Sequence, residues 1–126
     1  MADGQMPIQG LRILVAEDNV LAAMEVEQIL REHGCEPIGP APTVEYALHL
    51  VRAEPLDGAI LDINLRDQLI FPVAAELERR GIPFIFATGY EDGSALPADL
   101  KDRPRLRKPF SERQLVQLLT SVIAKR

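Results

Sequence analysis

Short apolar runs recur along this chain, each separated from the next by enough residues for one helix. They lie at residues 11–16, weakly at 37–39, then at 58–61, 83–87 and around Leu106. Runs of this length suit strands buried on both faces, and amphipathic segments between them suit crossover helices, so the rhythm reads as repeated βα units. The fold class expected is α/β, a doubly wound five-stranded parallel sheet. With 126 residues, 47% of them hydrophobic, the chain can fill one core and little more. One domain over residues 9–126 is expected, after a loose tail at 1–8.

The intervening segments carry helix signals. Ala22, Val26, Ile29 and Leu30 share one face of a first helix that Gly34 closes. Thr43 is placed to cap a second, with Ala47, Leu50 and Val51 in line and Pro55 ending it. Pro72 suits the first turn of a third helix, running through Leu77 to a stop at Gly81. Ser111 and Gln114 have capping-box spacing ahead of Leu115, Leu118, Leu119, Val122 and Ile123. Between Tyr90 and Pro104 no stripe is sustained through Gly93 and Pro97, so the helix due there is expected to be short or mobile.

Charge and cysteine usage narrow the function classes. A net charge of −5 argues against binding nucleic acid or an anionic membrane, both of which need clustered Lys and Arg. The single cysteine, Cys35, cannot form an internal disulfide and has no neighbours at zinc-ligand spacing. No basic leader and no run of 18 apolar residues is present, so a soluble, cytoplasmic protein is expected. Only Lys125 and Arg126 follow the last helix, so no output domain is expected in this chain.

The strand ends hold the chemistry. "ILVAEDN" places Glu17 and Asp18 directly after the first strand, and "AILDINL" places Asp62 at the end of the third. In an open parallel sheet ligands bind at the carboxyl ends of the strands, so three carboxylates would share one pocket. Such a cluster raises its own pKa values unless a cation neutralises it, and oxygen donors suit a hard ion such as Mg²⁺. Thr88, ending "FIFATG", and Lys108, opening "KPF", add a hydroxyl and an ammonium at the same edge.

These five positions at strand ends resemble the receiver domain of two-component response regulators, over the chain from about Leu11 to Ala124. The resemblance implies the strand order 2-1-3-4-5 and a Mg²⁺ ion held by Glu17, Asp18, Asp62 and the backbone carbonyl of Asn64. It makes Asp62 the acceptor of a phosphoryl group from a sensor histidine kinase or histidine phosphotransferase, with Thr88 and Lys108 contacting the phosphoryl oxygens. Output would pass to a downstream regulator protein or through a phosphorelay, without enzymatic turnover beyond self-phosphorylation and autodephosphorylation. Residues 83–90, "PFIFATGY", further resemble the signature of a stand-alone subclass, the FAT GUY proteins, associated with stress signalling in alphaproteobacteria.

Three departures qualify that likeness. Arg105 stands three residues before the lysine, where many receivers carry a Tyr or Phe, leaving Tyr90 as a candidate to take over the aromatic signal. The segment "INLRDQLIFP" after Asp62 lacks the usual Met-Pro and loop glycine. Glu17 replaces the commoner Asp, one methylene longer, which a metal that keeps several waters tolerates.

Other readings compete. A Mg²⁺-dependent aspartyl phosphatase needs an acid-base Asp two residues after the nucleophile, and Asn64 cannot move that proton. A nucleotide or flavin binder needs a phosphate loop after the first strand, where "AEDN" would repel the ligand. A degenerate receiver serving as an unphosphorylated binding module is the remaining alternative.

Overall fold

The computed structural model describes residues 7–89 and 102–124. In chain order the elements are β1 (Arg12–Ala16), α1 (Val20–Glu32), β2 (Glu36–Ala41), α2 (Val44–Ala53), β3 (Gly58–Asp62), β4 (Asn64–Leu65), β5 (Gln68–Leu69), α3 (Phe71–Arg79), β6 (Phe84–Thr88), β7 (Arg105–Arg107) and α4 (Glu112–Leu119). A π-helical segment, Thr120–Ala124, continues α4.

Five strands form a parallel sheet in the order β2-β1-β3-β6-β7. Counting only these strands, that is the expected 2-1-3-4-5 order. β3 and β6 are buried along their whole length, whereas the edge strands β2 and β7 alternate with exposed residues. Strand side chains alternate between faces, which divides the core into two layers. Leu14, Leu61 and Phe86 meet α2 and α3 on one face; Ile13, Val15, Ile60 and Ile85 meet α1 and α4 on the other.

Local chemistry accounts for the helix ends. Asn19 and Thr43 cap α1 and α2 by accepting from the backbone N–H of Ala22 and Tyr46. Gly34 takes φ +81 just beyond α1. Ser111 and Gln114 form the reciprocal box, at 3.1 and 2.9 Å.

Two expectations are corrected. Ile8, assigned to the tail, is fully buried, and its carbonyl accepts from the Cys35 thiol at 3.0 Å and the Leu11 N–H at 3.2 Å. An isoleucine beside a strand gains more from that core than from water, so packing begins one residue before the expected boundary. The covered face of α1 is also turned slightly. Ala23, Val26, Glu27 and Leu30 are buried, while Ala22 and Ile29 border an open cavity. The short or mobile helix expected after Tyr90 lies outside the described residues.

Gly58 marks where the last turn of the chain closes onto the sheet. A Cβ there would overlap the side chain of Ile123, which is itself buried. Gly58→Val should therefore overpack the site and cost about 1–3 kcal/mol, lowering Tm by roughly 3–10 °C. Adding Ile123→Ala should make the double variant less destabilised than the sum of the two single variants. Thermal denaturation of the four proteins checks this coupling.

Candidate functional site

Four chain segments deliver polar groups to the carboxyl edge of the sheet. Glu17 follows β1, and its N–H donates to Ala41 O at 3.0 Å, fixing the chain as it leaves the sheet. Asp62 ends β3 and Thr88 ends β6, so both are set by fully buried strands. Lys108 follows β7, its N–H donating to Thr88 O at 2.8 Å ahead of a cis peptide bond to Pro109.

One carboxylate oxygen each from Glu17, Asp18 and Asp62 lie within 4.8 Å of one another. Glu17 and Asp62 are each only 7% exposed. Lys108 Nζ donates to Glu17 Oε1 at 2.8 Å and to Asp62 Oδ2 at 3.2 Å. The Asn19 N–H donates to Glu17 Oε2 at 3.1 Å.

Burial is the main cause that pushes the Asp62 carboxyl up to about 7; the neighbouring Glu17 charge adds to it, and Lys108 only partly opposes them. Burial also works against the Lys108 ammonium, but its hydrogen bond to Glu17 and its attraction to Asp62 and Glu17 together outweigh that and hold its pKa above the usual value. One ammonium among three close acids leaves net negative charge in a poorly solvated place. An all-oxygen donor set with that surplus fits a small divalent cation such as Mg²⁺.

Of the residues singled out from the sequence, Glu17, Asp18, Asp62 and Lys108 come together. Thr88 reaches the same edge, but its hydroxyl donates to Leu106 O at 3.4 Å rather than to Asp62. Asn64 begins the hairpin β4–β5, paired with Leu69. Leu65 pairs with Gln68 across a two-residue turn, and the Ile70 N–H donates to Ile63 O at 2.8 Å. Hydrogen-bonded pairs alternate along an antiparallel ladder, so the Asn64 carbonyl between these rungs faces away from the partner strand.

This hairpin was not anticipated. Its turn residues Arg66 and Asp67 have φ 49 and φ 68, a geometry that Asn-Gly or Asp-Gly would have announced. Its Arg66 N–H donates to Asp18 Oδ2 at 2.9 Å, a contact with no signal in the sequence. Beside the acids, a cavity of about 580 Å³ extends between α1 and the start of α4, with Val26, Ile29 and Phe110 among its lining. His33 Nε2 and Glu112 Oε2, 2.9 Å apart, join these helices.

Comparison with known proteins identifies the family and the fold. The profile of the response regulator receiver domain matches residues 13–120, and the chain belongs to that family. The sensory transduction protein LytT of Bacillus anthracis is 34% identical over 112 residues, covering 86% of this chain but 46% of LytT. The solution structure of SdrG from Sphingomonas melonis Fr1 is 36% identical with a TM-score of 0.77, covering 90% of this chain and 95% of SdrG. The receiver domain of a sensor histidine kinase from Pseudomonas aeruginosa PAO1 shares the fold, at TM-score 0.75 and 22% identity over 93% of this chain and 99% of that one. It was solved with a magnesium ion coordinated in its active-site cleft.

The raised Asp62 pKa carries a sign. A carboxyl whose folded pKa exceeds its unfolded value of 3.8 contributes stability below that value and loses it as pH rises through about 7. In chelator, Asp62→Asn should therefore raise Tm, and the gain should grow between pH 5 and pH 8 by on the order of 2–3 kcal/mol. Thermal melts at the two pH values measure it; a gain that stays flat or shrinks would contradict the burial of this charge.

Proposed function

We propose that Asp62 is the phosphoacceptor of a stand-alone response regulator, phosphorylated by a histidine kinase or histidine phosphotransferase in a Mg²⁺-dependent reaction. The observation that carries this reading is a buried carboxylate at the end of a central strand, 3.2 Å from Lys108 and within 4.8 Å of two further acids. Glu17, Asp18, Asp62 and the Asn64 carbonyl are the groups that would hold the ion, whose charge, when bound, offsets that of the arriving phosphoryl oxygens.

Asp62 attacks phosphorus as the carboxylate, and its P–O bond forms as the donor's N–P bond breaks. The leaving imidazole nitrogen keeps that electron pair and takes a proton from solvent. Lys108 uses two of its three N–H groups on Glu17 and Asp62, which leaves one for a phosphoryl oxygen. Strong acceptor oxygens then arrive at the edge where Thr88 makes a long bond to Leu106 O. Rotation of that hydroxyl toward the acyl phosphate would give up its bond to Leu106 O while the β6–β7 ladder stays paired, a local change at the sheet edge that could pass modification on to the surface. Arg105 sits exposed on β7, so this chain has no aromatic reporter there. Tyr90, the alternative, lies outside the described residues.

A protein donor is favoured over a small phosphate alone by the first turns of α1. Val20, Leu21 and Met24 are 71%, 74% and 58% exposed immediately after the acid pair, an apolar surface of the kind that partner proteins cover. The subclass reading, a FAT GUY receiver signalling through protein contacts or phosphorelay, rests on "PFIFATGY" at residues 83–90, of which 84–88 form β6. Against the degenerate-module alternative stand the intact acceptor, lysine and acid pair. Against a phosphatase stands Asn64, which lacks an acid-base group.

Incubation with acetyl phosphate, followed by a phosphate-affinity gel, tests the reading. A retarded band should form with Mg²⁺ and vanish in chelator or in Asp62→Asn. A band insensitive to either change would refute the site, and sustained release of phosphate from small monoesters would favour the phosphatase.

A further inference from the structure

The turn of the β4–β5 hairpin does more than reverse the chain. In a two-residue hairpin the first turn residue has no ladder partner for its N–H. Here that residue is Arg66, and its N–H is donated to Asp18 Oδ2 at 2.9 Å. The bond spans 48 residues of sequence and ties the segment after the acceptor strand to the acid pair after β1.

The hairpin is held in a conformation that its own turn residues do not favour. Arg66 and Asp67 both lie at positive φ, where side-chain-bearing residues are uncommon. Neighbouring residues fix it. Ile63, Leu65 and Ile70 are fully buried, and the Ile70 N–H closes the base of the hairpin on Ile63 O at 2.8 Å. A rigid base therefore presents two backbone groups on the outer side of one arm, the Asn64 carbonyl and the Arg66 N–H.

We propose that Arg66, through its backbone N–H, is a positioning residue that fixes the Asp18 carboxylate for cation binding, so that the hairpin sets the Mg²⁺ affinity of the domain. This deepens, and rests on, the assignment of Glu17, Asp18 and Asp62 as a metal site. A donor on Oδ2 fixes the plane of the carboxylate and leaves its other oxygen for the ion. Outer contacts of this kind orient ligating carboxylates and tune affinity. The arrangement would also couple the acceptor to the metal, because Asp62 at the end of β3, Asn64 in β4 and Arg66 in the turn follow one another at intervals of two residues.

The test replaces Arg66 in the full chain by its α-hydroxy analogue, which exchanges that single N–H for oxygen. Mg²⁺ affinity is measured by calorimetric titration, and Tm is measured in chelator. The ester should bind Mg²⁺ about tenfold or more weakly. The double variant Arg66→Asn with Asp67→Gly, which keeps the N–H and suits the turn, should retain the wild-type Kd. An ester chain with unchanged Kd, even with a lowered Tm, would overturn the positioning role provided that Asp18→Ala still weakens binding. Unchanged binding in Asp18→Ala would instead overturn the metal site on which this inference stands.

Discussion

Three carboxylates, with oxygens within 4.8 Å of one another and one ammonium between two of them, impose the condition to which the rest of this domain answers. Charges packed this closely away from water repel, and a chain assembles them only if the surrounding structure is stable enough to hold them there. The holding is done by backbone: Glu17 is tethered to β2, Asp62 terminates a strand buried from end to end, and Lys108 is hydrogen-bonded to β6 through its own N–H. The resulting surplus of negative charge is what a divalent ion would relieve, and on the proposed reading that relief is what would let a phosphoryl group approach.

The same construction sets well-buried strands beside a short, more exposed one. β1, β3 and β6 are buried on both faces, so the acids are set by the core. Beside them β7 is an edge strand of only three residues, with Leu106 half-buried and its neighbours exposed. The Thr88 hydroxyl makes a long bond there, 3.4 Å to Leu106 O, and on the proposed reading it is the group that would turn toward a phosphoryl oxygen. The well-buried strands and the short, exposed edge strand are thus neighbours in one sheet.

Much of this was legible because it rests on one-dimensional patterns. Buried parallel strands read as apolar runs, Thr43 and Ser111 announce helix starts, and Glu17, Asp18, Asp62, Thr88 and Lys108 fall at or just after strand ends in the sequence itself. What escaped depends on tertiary context. Arg66 and Asp67 form a positive-φ turn without a glycine, so nothing local marks it; the buried Ile63, Leu65 and Ile70 impose it. Ile8 reads as tail until Cys35 and β1 provide a place for it. The rotation of α1 that leaves Ala22 and Ile29 beside a cavity depends on where α4 lies, which no helix periodicity encodes.

The central claim is that one carboxylate, Asp62, becomes an acyl phosphate. Borohydride reduction of the acyl phosphate followed by peptide mass spectrometry reads this directly, since it converts a phosphorylated aspartate to homoserine. After treatment with a phosphodonor and Mg²⁺, position 62 alone should carry homoserine, and none should form in chelator. Homoserine at Asp18 or elsewhere, or its absence from position 62 under phosphorylating conditions, would contradict the account.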